Sequence, residues 1–377
     1  MLLMNLKFDS DVLVVGAGPV GLTLAMDLAR QGPQATSYSD IHCPTRHAQA
    51  LSHSRIVMTL STKRVLILGG TGFVGRHVCE KLHRIGCNIT VITRRAKQAS
   101  AIQSLPHVTV LEGDVYNPSF LTHQMAQHDV VINLIAILHG SEAAFEMAHV
   151  QLAQIIAKAC NTSGVRRLIH ISALGASLNG PSHYQRSKAR GEEVLKQAGL
   201  ELTVLQPSVI FGTEDKFLNL FAKLQQLTPA VPLAGASTRF QAVWVEDVAS
   251  AVAHCVLHAD TAGKTYELCG PEVFTLQQLV QKSGQWAGIR QGKGRWVFGI
   301  PRTLAWVQAF LMELAPGQPL MSRDNLDSMK VDNVASGQAL GLQDLDIQAA
   351  AVSSIAPTYL GQQDPCTKLN ALRAKGR

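Results

Sequence analysis

The sequence predicts an α/β protein built on a doubly wound parallel sheet, with a smaller carboxyl-terminal lobe on the substrate side. Three observations carry that reading. From residue 64 onward, short apolar runs alternate with stretches of helical length. A glycine-spaced turn joins the first run directly to the first helix. The residues with chemical potential then fall at the carboxyl ends of successive runs, where ligands bind in open α/β sheets.

Arg64-Val-Leu-Ile-Leu68 is an apolar run suited to a parallel strand buried on both faces. Gly69, Gly72 and Gly75 follow at the spacing G-x-x-G-x-x-G, with Thr71, Phe73 and Val74 on the same turn. A strand turning straight into a helix brings backbone very close to a pyrophosphate, and side chains at the glycine positions would block the approach. The free N–H groups of the helix's first turn then face the anion. This predicts a nucleotide site at the glycines, with Thr71, Phe73 and Val74 as further contacts, in what is then an NAD(P)-binding Rossmann fold. Val78 and Leu82 continue the apolar helix face, and Gly86 ends the helix. Ile89-Thr-Val-Ile92 is the second strand and delivers Arg94 and Arg95 to the adenosine ribose. An acid there would bind the 2′-hydroxyl of NAD, whereas arginine suits the 2′-phosphate of NADP. NADP(H) is the expected cofactor, with NAD(H) compatible.

His107 to Leu111 is the third strand, and Asp114 after it is placed to accept a hydrogen bond from the adenine amino group. Asp129 to Ala136 is the fourth, and Asn133 and Ala136 suit a turn where backbone approaches the ribose. Glu142 to Cys160 reads as a helix on Phe145, Val150, Leu152, Ile155 and Ile156. Arg167-Leu-Ile-His-Ile-Ser172 is the fifth strand, ending in a hydroxyl. Tyr184-Gln-Arg-Ser-Lys188 opens the next helix, so that phenol and ammonium lie on one face, one turn apart. A tyrosine titrates near 10, too high for a base at neutral pH. A neighbouring ammonium and an oxidised nicotinamide would lower that value. Ser172, Tyr184 and Lys188 are therefore the candidate catalytic set, with Ser172 placed to hold a substrate carbonyl.

The 377 residues are 46% hydrophobic and 16% charged, an ordinary globular balance. No apolar run approaches the roughly 18 residues of a membrane span, and the amino terminus resembles neither a secretory signal nor a transit peptide. A cytoplasmic protein, or one peripheral to the inner membrane, is expected. The seven cysteines are scattered without a C-x-x-C pair, and the histidines are read as having neither an H-x-x-x-H nor an H-E-x-x-H arrangement, so no metal is predicted. In residues 1–57 the four basic side chains (Lys7, Arg30, Arg46, Arg55) cancel the four acids (Asp9, Asp11, Asp27, Asp40), so the net charge of +7 belongs to the remainder. No long basic run or aromatic-interleaved patch accompanies it, and nucleic acid is not an expected partner. A phosphate-bearing cofactor, an anionic membrane surface or an acidic partner accounts for the charge as well.

A second glycine pattern, Gly16-Ala-Gly-Pro-Val-Gly21, follows Asp11-Val-Leu-Val-Val15. DVLVVGAGPVGLTLAMDLARQG resembles the start of the flavin-dependent aromatic-ring monooxygenases, which implies FAD. No second apolar run follows it, and a single βα unit cannot enclose FAD. FAD is not expected, and flavin-dependent oxygenation is the least favoured reading. Residues 1–32 are read as a flavoprotein-like fragment, 33–60 as a linker with Met58 a plausible true start, 61–212 as the nucleotide domain, 213–358 as the smaller lobe whose strands return to the sheet, and 359–377 as a polar tail.

The glycine turn, the GD after the third strand, the serine-bearing fifth strand and Y-x-x-x-K together resemble the extended and atypical branches of the short-chain dehydrogenase/reductase superfamily. YQRSKARGEEVL, LQPSVIFGTEDKFLNLFA, FQAVWVEDVASAV, YELCGPEVFTLQQLV and APGQPLMSRDNLDSMKVDNVAS are similar to the NAD(P)H-binding accessory subunit of respiratory complex I and its bacterial relatives, over roughly residues 60–345. That resemblance implies a tightly held NADPH with a structural, assembly or redox-sensing role, and a respiratory-complex or other protein partner. It places Gly69, Gly72 and Gly75 at the pyrophosphate, Arg94 at the 2′-phosphate, Asp114 by the adenine, and Tyr184 and Lys188 by the nicotinamide ribose. Pro207, Ser208 and Val209 would line the nicotinamide side. One departure bears on chemistry: His149 stands where active extended members often carry an asparagine that completes a proton relay. The alternative is a working NADP-dependent oxidoreductase or epimerase using Ser172, Tyr184 and Lys188, its substrate unnamed by the sequence. The helix from Ile300 to Leu314 carries an apolar stripe of Leu304, Val307, Leu311 and Leu314, with Trp306 and Phe310 beside it. It is expected to pack on the core, or else to meet a membrane surface or a partner.

Overall fold

Strand β1 (Arg64–Leu68) is buried from Val65 to Leu68, each side chain at 0% exposure. Val65 and Ile67 enter the apolar layer on one face of the sheet, Leu66 and Leu68 the layer on the other. Only a central strand covered on both sides supports such a run, and each of these side chains contributes about 1.5–3 kcal/mol by burial. The computed structural model describes residues 62–314 and 321–361 of the chain, the Leu314 side chain excepted. The readings of Gly16–Gly21, the linker and Met58, and of the tail past residue 361, lie outside those residues.

Around β1 are β2 (Asn88–Thr93), β3 (Val108–Glu112), β4 (Val130–Asn133), β5 (Arg167–Ile171), β6 (Glu201–Pro207) and, from the later part of the chain, β11 (Thr265–Leu268). The order is β11-β6-β5-β4-β1-β2-β3, with every pairing parallel. The chain reverses its winding between β1 and β4, which opens a crevice at their carboxyl ends. Leu68 is in register with both Ile92 and Asn133, so the three turns that follow leave the sheet at one edge.

Helix α1 (Phe73–Arg84) and α6 (Val245–Leu257) cover one face through Val78, Cys79, Leu82, Val248 and Val252. The other face is covered by α2 (Pro118–Met125), α3 (142–163) and α4 (His183–Lys196) through Leu121, Met125, Leu152, Ile156, Cys160 and Leu195. Helix α3 runs past the expected Cys160 and in three parts: Glu142–Phe145, a π-helical Glu146–Gln151, and Leu152–Ser163. Such wide turns concentrate at functional sites, and this one holds His149.

A second core gathers α5 (Leu218–Leu227), α7 (Leu276–Trp286) and α10 (Val352–Leu360) with β8 (Ala230–Leu233) and β13 (Trp296–Gly299). Two-stranded pairs β7 (Ile210–Phe211) with β10 (Val243–Trp244) and β9 (Arg239–Phe240) with β12 (Phe274–Thr275) complete it. Helix α10 runs through Tyr359 and Leu360, whose side chains are buried, and the Tyr359 hydroxyl donates to Asp215 Oδ2 at 2.9 Å.

Helix α8 (Arg302–Leu314) departs from the packed arrangement its stripe suggested. Ala305 and Ala309 face the core, and Leu304 and Leu311 are each 60% exposed, with Trp306, Val307 and Phe310 also outside. Helix α9 (Arg323–Ser328) lies against it, Arg323 bonded to Glu313 at 2.8 Å and its guanidinium over the Trp306 and Phe310 rings. No helix among the described residues is long and apolar enough to cross a membrane.

Candidate functional site

The glycine turn is tight at backbone level. Gly69 has φ +87, a left-handed conformation that glycine adopts without penalty. Its carbonyl accepts the Gly72 N–H at 3.1 Å, which sets the start of α1. A Cβ on Gly75 would lie 2.5 Å from that same carbonyl oxygen. Gly70, a glycine the spacing did not single out, is as constrained: its Cβ would meet both Val91 methyls at 2.8 Å. The doublet Gly69-Gly70 was the available signal. Gly72 caps α1 without a side chain and the first turn has no acid, so the N–H groups around Phe73 and Val74 suit an anion. Arg76, also unassigned from sequence, forms an ion pair with Glu214 from the loop after β7.

The other expected residues sit along the same edge. Arg94 and Arg95 are exposed just beyond β2, where Thr93 Oγ1 bridges the Arg95 N–H and carbonyl. Arg94 is close enough to Tyr116, past β3, to pull its phenol down against the larger upward push of burial. Asp114, exposed, accepts the Tyr116 N–H at 3.0 Å. Ala136 is exposed after β4. Asn133 turns inward: Oδ1 accepts the Ile135 N–H and Nδ2 meets His170 Nδ1, both at 3.1 Å, so its side chain shapes the turn from beneath.

Ser172 directly follows β5, Lys188 reaches the strand's end, and Tyr184 stands one turn before Lys188 on α4. Lys188 is 1% exposed and its Nζ donates to the Ile171 carbonyl at 2.9 Å. Burial lowers the ammonium to about 8, against a smaller upward pull from Glu192. Burial raises the Tyr184 phenol to about 12. Among the described residues the buried Ser172 hydroxyl has no hydrogen-bond partner, an uncompensated polar atom just past β5.

His149 completes the group. Its Nε2 accepts the Ile137 N–H at 3.2 Å, so Nδ1 carries the proton and donates to Ser187 Oγ at 2.8 Å. Ser187 Oγ passes on to the Tyr184 carbonyl at 2.9 Å, and the His149 and Tyr184 rings meet edge to face with centroids 5.6 Å apart. Gly191 lets α4 approach the widened turn, since a Cβ there would lie 2.3 Å from the His149 oxygen. Burial, with a smaller push from Lys188, takes His149 down to about 3, and burial first also holds His170 well below its usual range.

Both imidazoles are thus neutral in the fold but take up protons near pH 6.5 once unfolded. The unfolded chain binds more protons as pH falls, so stability is full above about 6.5 and is lost from there down toward about 3 for His149. The expected slope is about 1.4 kcal/mol per pH unit for each histidine. Urea unfolding between pH 7.5 and 5 should show it, and a flat profile there would contradict the neutral assignment.

Residues 207–209 are held by Asn333, 124 residues beyond Val209. Asn333 Oδ1 accepts from Ser208 Oγ at 2.5 Å and from the Val209 N–H at 3.2 Å, beside buried Pro207. One H-x-x-x-H pair escaped the sequence reading: His254 and His258 stack with centroids 4.1 Å apart. No third ligand joins them, and no group of three or more potential metal ligands occurs among the described residues.

Comparison with known proteins agrees with this geometry. A family model described as NAD(P)H-binding matches residues 69–259. Subunit 9 of the NADH dehydrogenase [ubiquinone] 1 alpha subcomplex from Arabidopsis thaliana is 32% identical over 298 residues, covering 74% of this chain and 73% of that one. The Mus musculus protein of the same name is 30% identical over 348 residues, 86% and 88% of the two chains. Among solved structures, an NADPH-dependent quinone oxidoreductase from Escherichia coli complexed with NADPH superposes with a TM-score of 0.65 at 19% identity, over 78% of this chain and 99% of that one. The last is a likeness of fold.

Proposed function

This chain belongs to the NAD(P)H-binding family, and from that premise we propose that it keeps NADPH as a resident cofactor in a structural, assembly or redox-sensing role. The observation that carries the reading is the proton inventory at the end of β5. Lys188 spends a hydrogen bond on a backbone carbonyl, and His149 has both ring nitrogens engaged. Such a site suits holding a dinucleotide more than cycling protons through a substrate. NADPH is favoured over NADH by Arg94 at the end of β2 and the absence of an acid there.

The curated relatives are named as mitochondrial subunits of an NADH dehydrogenase [ubiquinone], which supports a protein partner of that kind. The uncovered face of α8 is the surface that suits such a partner or a peripheral contact with the inner membrane. The unpartnered Ser172 hydroxyl favours a second reading, an NADP-dependent oxidoreductase or epimerase acting through Ser172, Tyr184 and Lys188.

Mass spectrometry of the ligand released from purified full-length protein separates these readings from an empty site. Stoichiometric NADPH that is not consumed on adding carbonyl compounds or quinones is the expected result. Rapid consumption would move the protein to the second reading, and FAD or no nucleotide would overturn both.

A further inference from the structure

The segment from Ser322 to Asn333 crosses from the lobe to the carboxyl edge of the sheet and bonds three separate parts of the site. Asp324 Oδ1 accepts the His183 N–H at 2.6 Å and Oδ2 accepts the Tyr184 N–H at 3.1 Å. Ser182 Oγ takes the next N–H, that of Gln185, at 3.1 Å. The first turn of α4 therefore has its open donors filled by its own cap and by a carboxylate 140 residues further along the chain. A negative charge at this end of the helix is also favoured by the helix dipole.

At the other end of the segment, Asn333 uses its whole amide. Oδ1 holds Ser208 and Val209 after β6, and Nδ2 donates to the Leu174 carbonyl after β5 at 3.3 Å. Asp332 fixes the segment to β9, accepting the Arg239 N–H at 2.8 Å and pairing with its guanidinium at 2.7 Å. Thr238 Oγ1 donates to the Met329 carbonyl at 2.8 Å. None of these bonds reaches the glycine turn, Arg94 or Asp114.

We propose that Ser322–Asn333 is a clasp that positions the nicotinamide half of the site, with Asp324 setting the place of Tyr184 and Asn333 that of the Leu174 and Val209 loops. Both are positioning residues. The inference rests on the reading that a dinucleotide lies along this edge, and its mark is that it acts on one half of the cofactor only.

The test titrates full-length Asp324→Ala and Asn333→Ala with NADPH and with adenosine 2′,5′-bisphosphate, which lacks the nicotinamide half. NADPH affinity is expected to fall about tenfold, the loss of charge-assisted or paired hydrogen bonds. Affinity for the bisphosphate should stay within about twofold of wild type. A merely structural role would weaken both probes alike, and that result, or unchanged NADPH binding, overturns the clasp. Asp324→Asn keeps one acceptor oxygen and decides the matter where an alanine variant does not fold, with a smaller loss confined to NADPH. Wild-type protein that binds neither probe would sink the cofactor reading itself, and the clasp with it.

Discussion

Gly75→Ala is expected to empty the dinucleotide site. The added methyl would lie 2.5 Å from the Gly69 oxygen and 2.6 and 2.7 Å from Gly70 Cα and C. All three are backbone atoms of the turn itself, so no side chain can rotate away. Either α1 slides from β1 or the turn opens, and either movement breaks the Gly72–Gly69 bond that aims the helix start at a pyrophosphate. Overpacking of this kind costs about 1–3 kcal/mol of stability, and misplacing the phosphate donors should weaken NADPH binding by about 100-fold or more. Gly86→Ala is the control. Gly86 has φ +82 with nothing within 4 Å of its Cβ position, at the far end of the same helix. That variant should lose about 1 kcal/mol to backbone strain and keep its cofactor. Retained nucleotide measured after purification, alongside thermal melts, distinguishes the two. A Gly75→Ala protein that retains a full complement of NADPH would show that the glycine turn does not hold the pyrophosphate.

The main sheet was legible because its strands are buried on both faces. Residues 65–68 and 130–132 have no reason to be continuously apolar unless they lie at its centre. The placement of Tyr184 and Lys188 one turn apart on α4 was legible because helical spacing alone sets it, but burial raises the phenol where the neighbouring ammonium was expected to lower it. Legibility ended where a contact depends on a distant segment. Asp324 and Asn333 stand in the motif RDN…DN that carried the family resemblance, yet their partners at 183, 184, 208 and 209 cannot be inferred from spacing. The widened turn at 146–151 is equally silent, and its accommodation depends on Gly191, where a Cβ would lie 2.3 Å from the His149 carbonyl oxygen.

Helix α8 shows a different limit. Ranking residues by hydrophobicity pointed Leu304, Val307 and Leu311 inward, but the inner face is made by Ala305 and Ala309. Small residues allow a helix to lie close against its neighbour, here Ala234 and Leu326, and the large apolar side chains are left for something else to cover. An apolar stripe therefore identifies a buried face only when the protein's final assembly is known.

Arg94→Asp is expected to reverse the choice of dinucleotide. Arg94 and Arg95 are adjacent at the end of β2, and position alone gives them equal claim to a 2′-phosphate, whereas the family resemblance assigns it to Arg94. The local structure separates them. Thr93 Oγ1 is bonded to the backbone of Arg95, the Ala96 N–H is bonded to Glu112 Oε2 at 3.1 Å, and the charge of Arg94 is felt at Tyr116 beyond β3. The charge of Arg94 thus acts toward the end of β3, on the side of the crevice where Asp114 follows that strand. Replacing Arg94 with a carboxylate removes a charge-assisted bond to the phosphate and adds like-charge repulsion, a loss of about 100-fold or more in NADPH affinity. NADH carries a 2′-hydroxyl that the new carboxylate can accept from, so its affinity should hold or rise. Arg95→Asp changes only the general field near an exposed site, which salt screens over about 8 Å at physiological ionic strength, and should cost less than about fivefold. Equilibrium titration of the three proteins with both dinucleotides reads the result directly. Equal loss of NADPH and NADH in the Arg94 variant would mean a disturbed strand end, and a larger effect from Arg95 would transfer the phosphate to that residue.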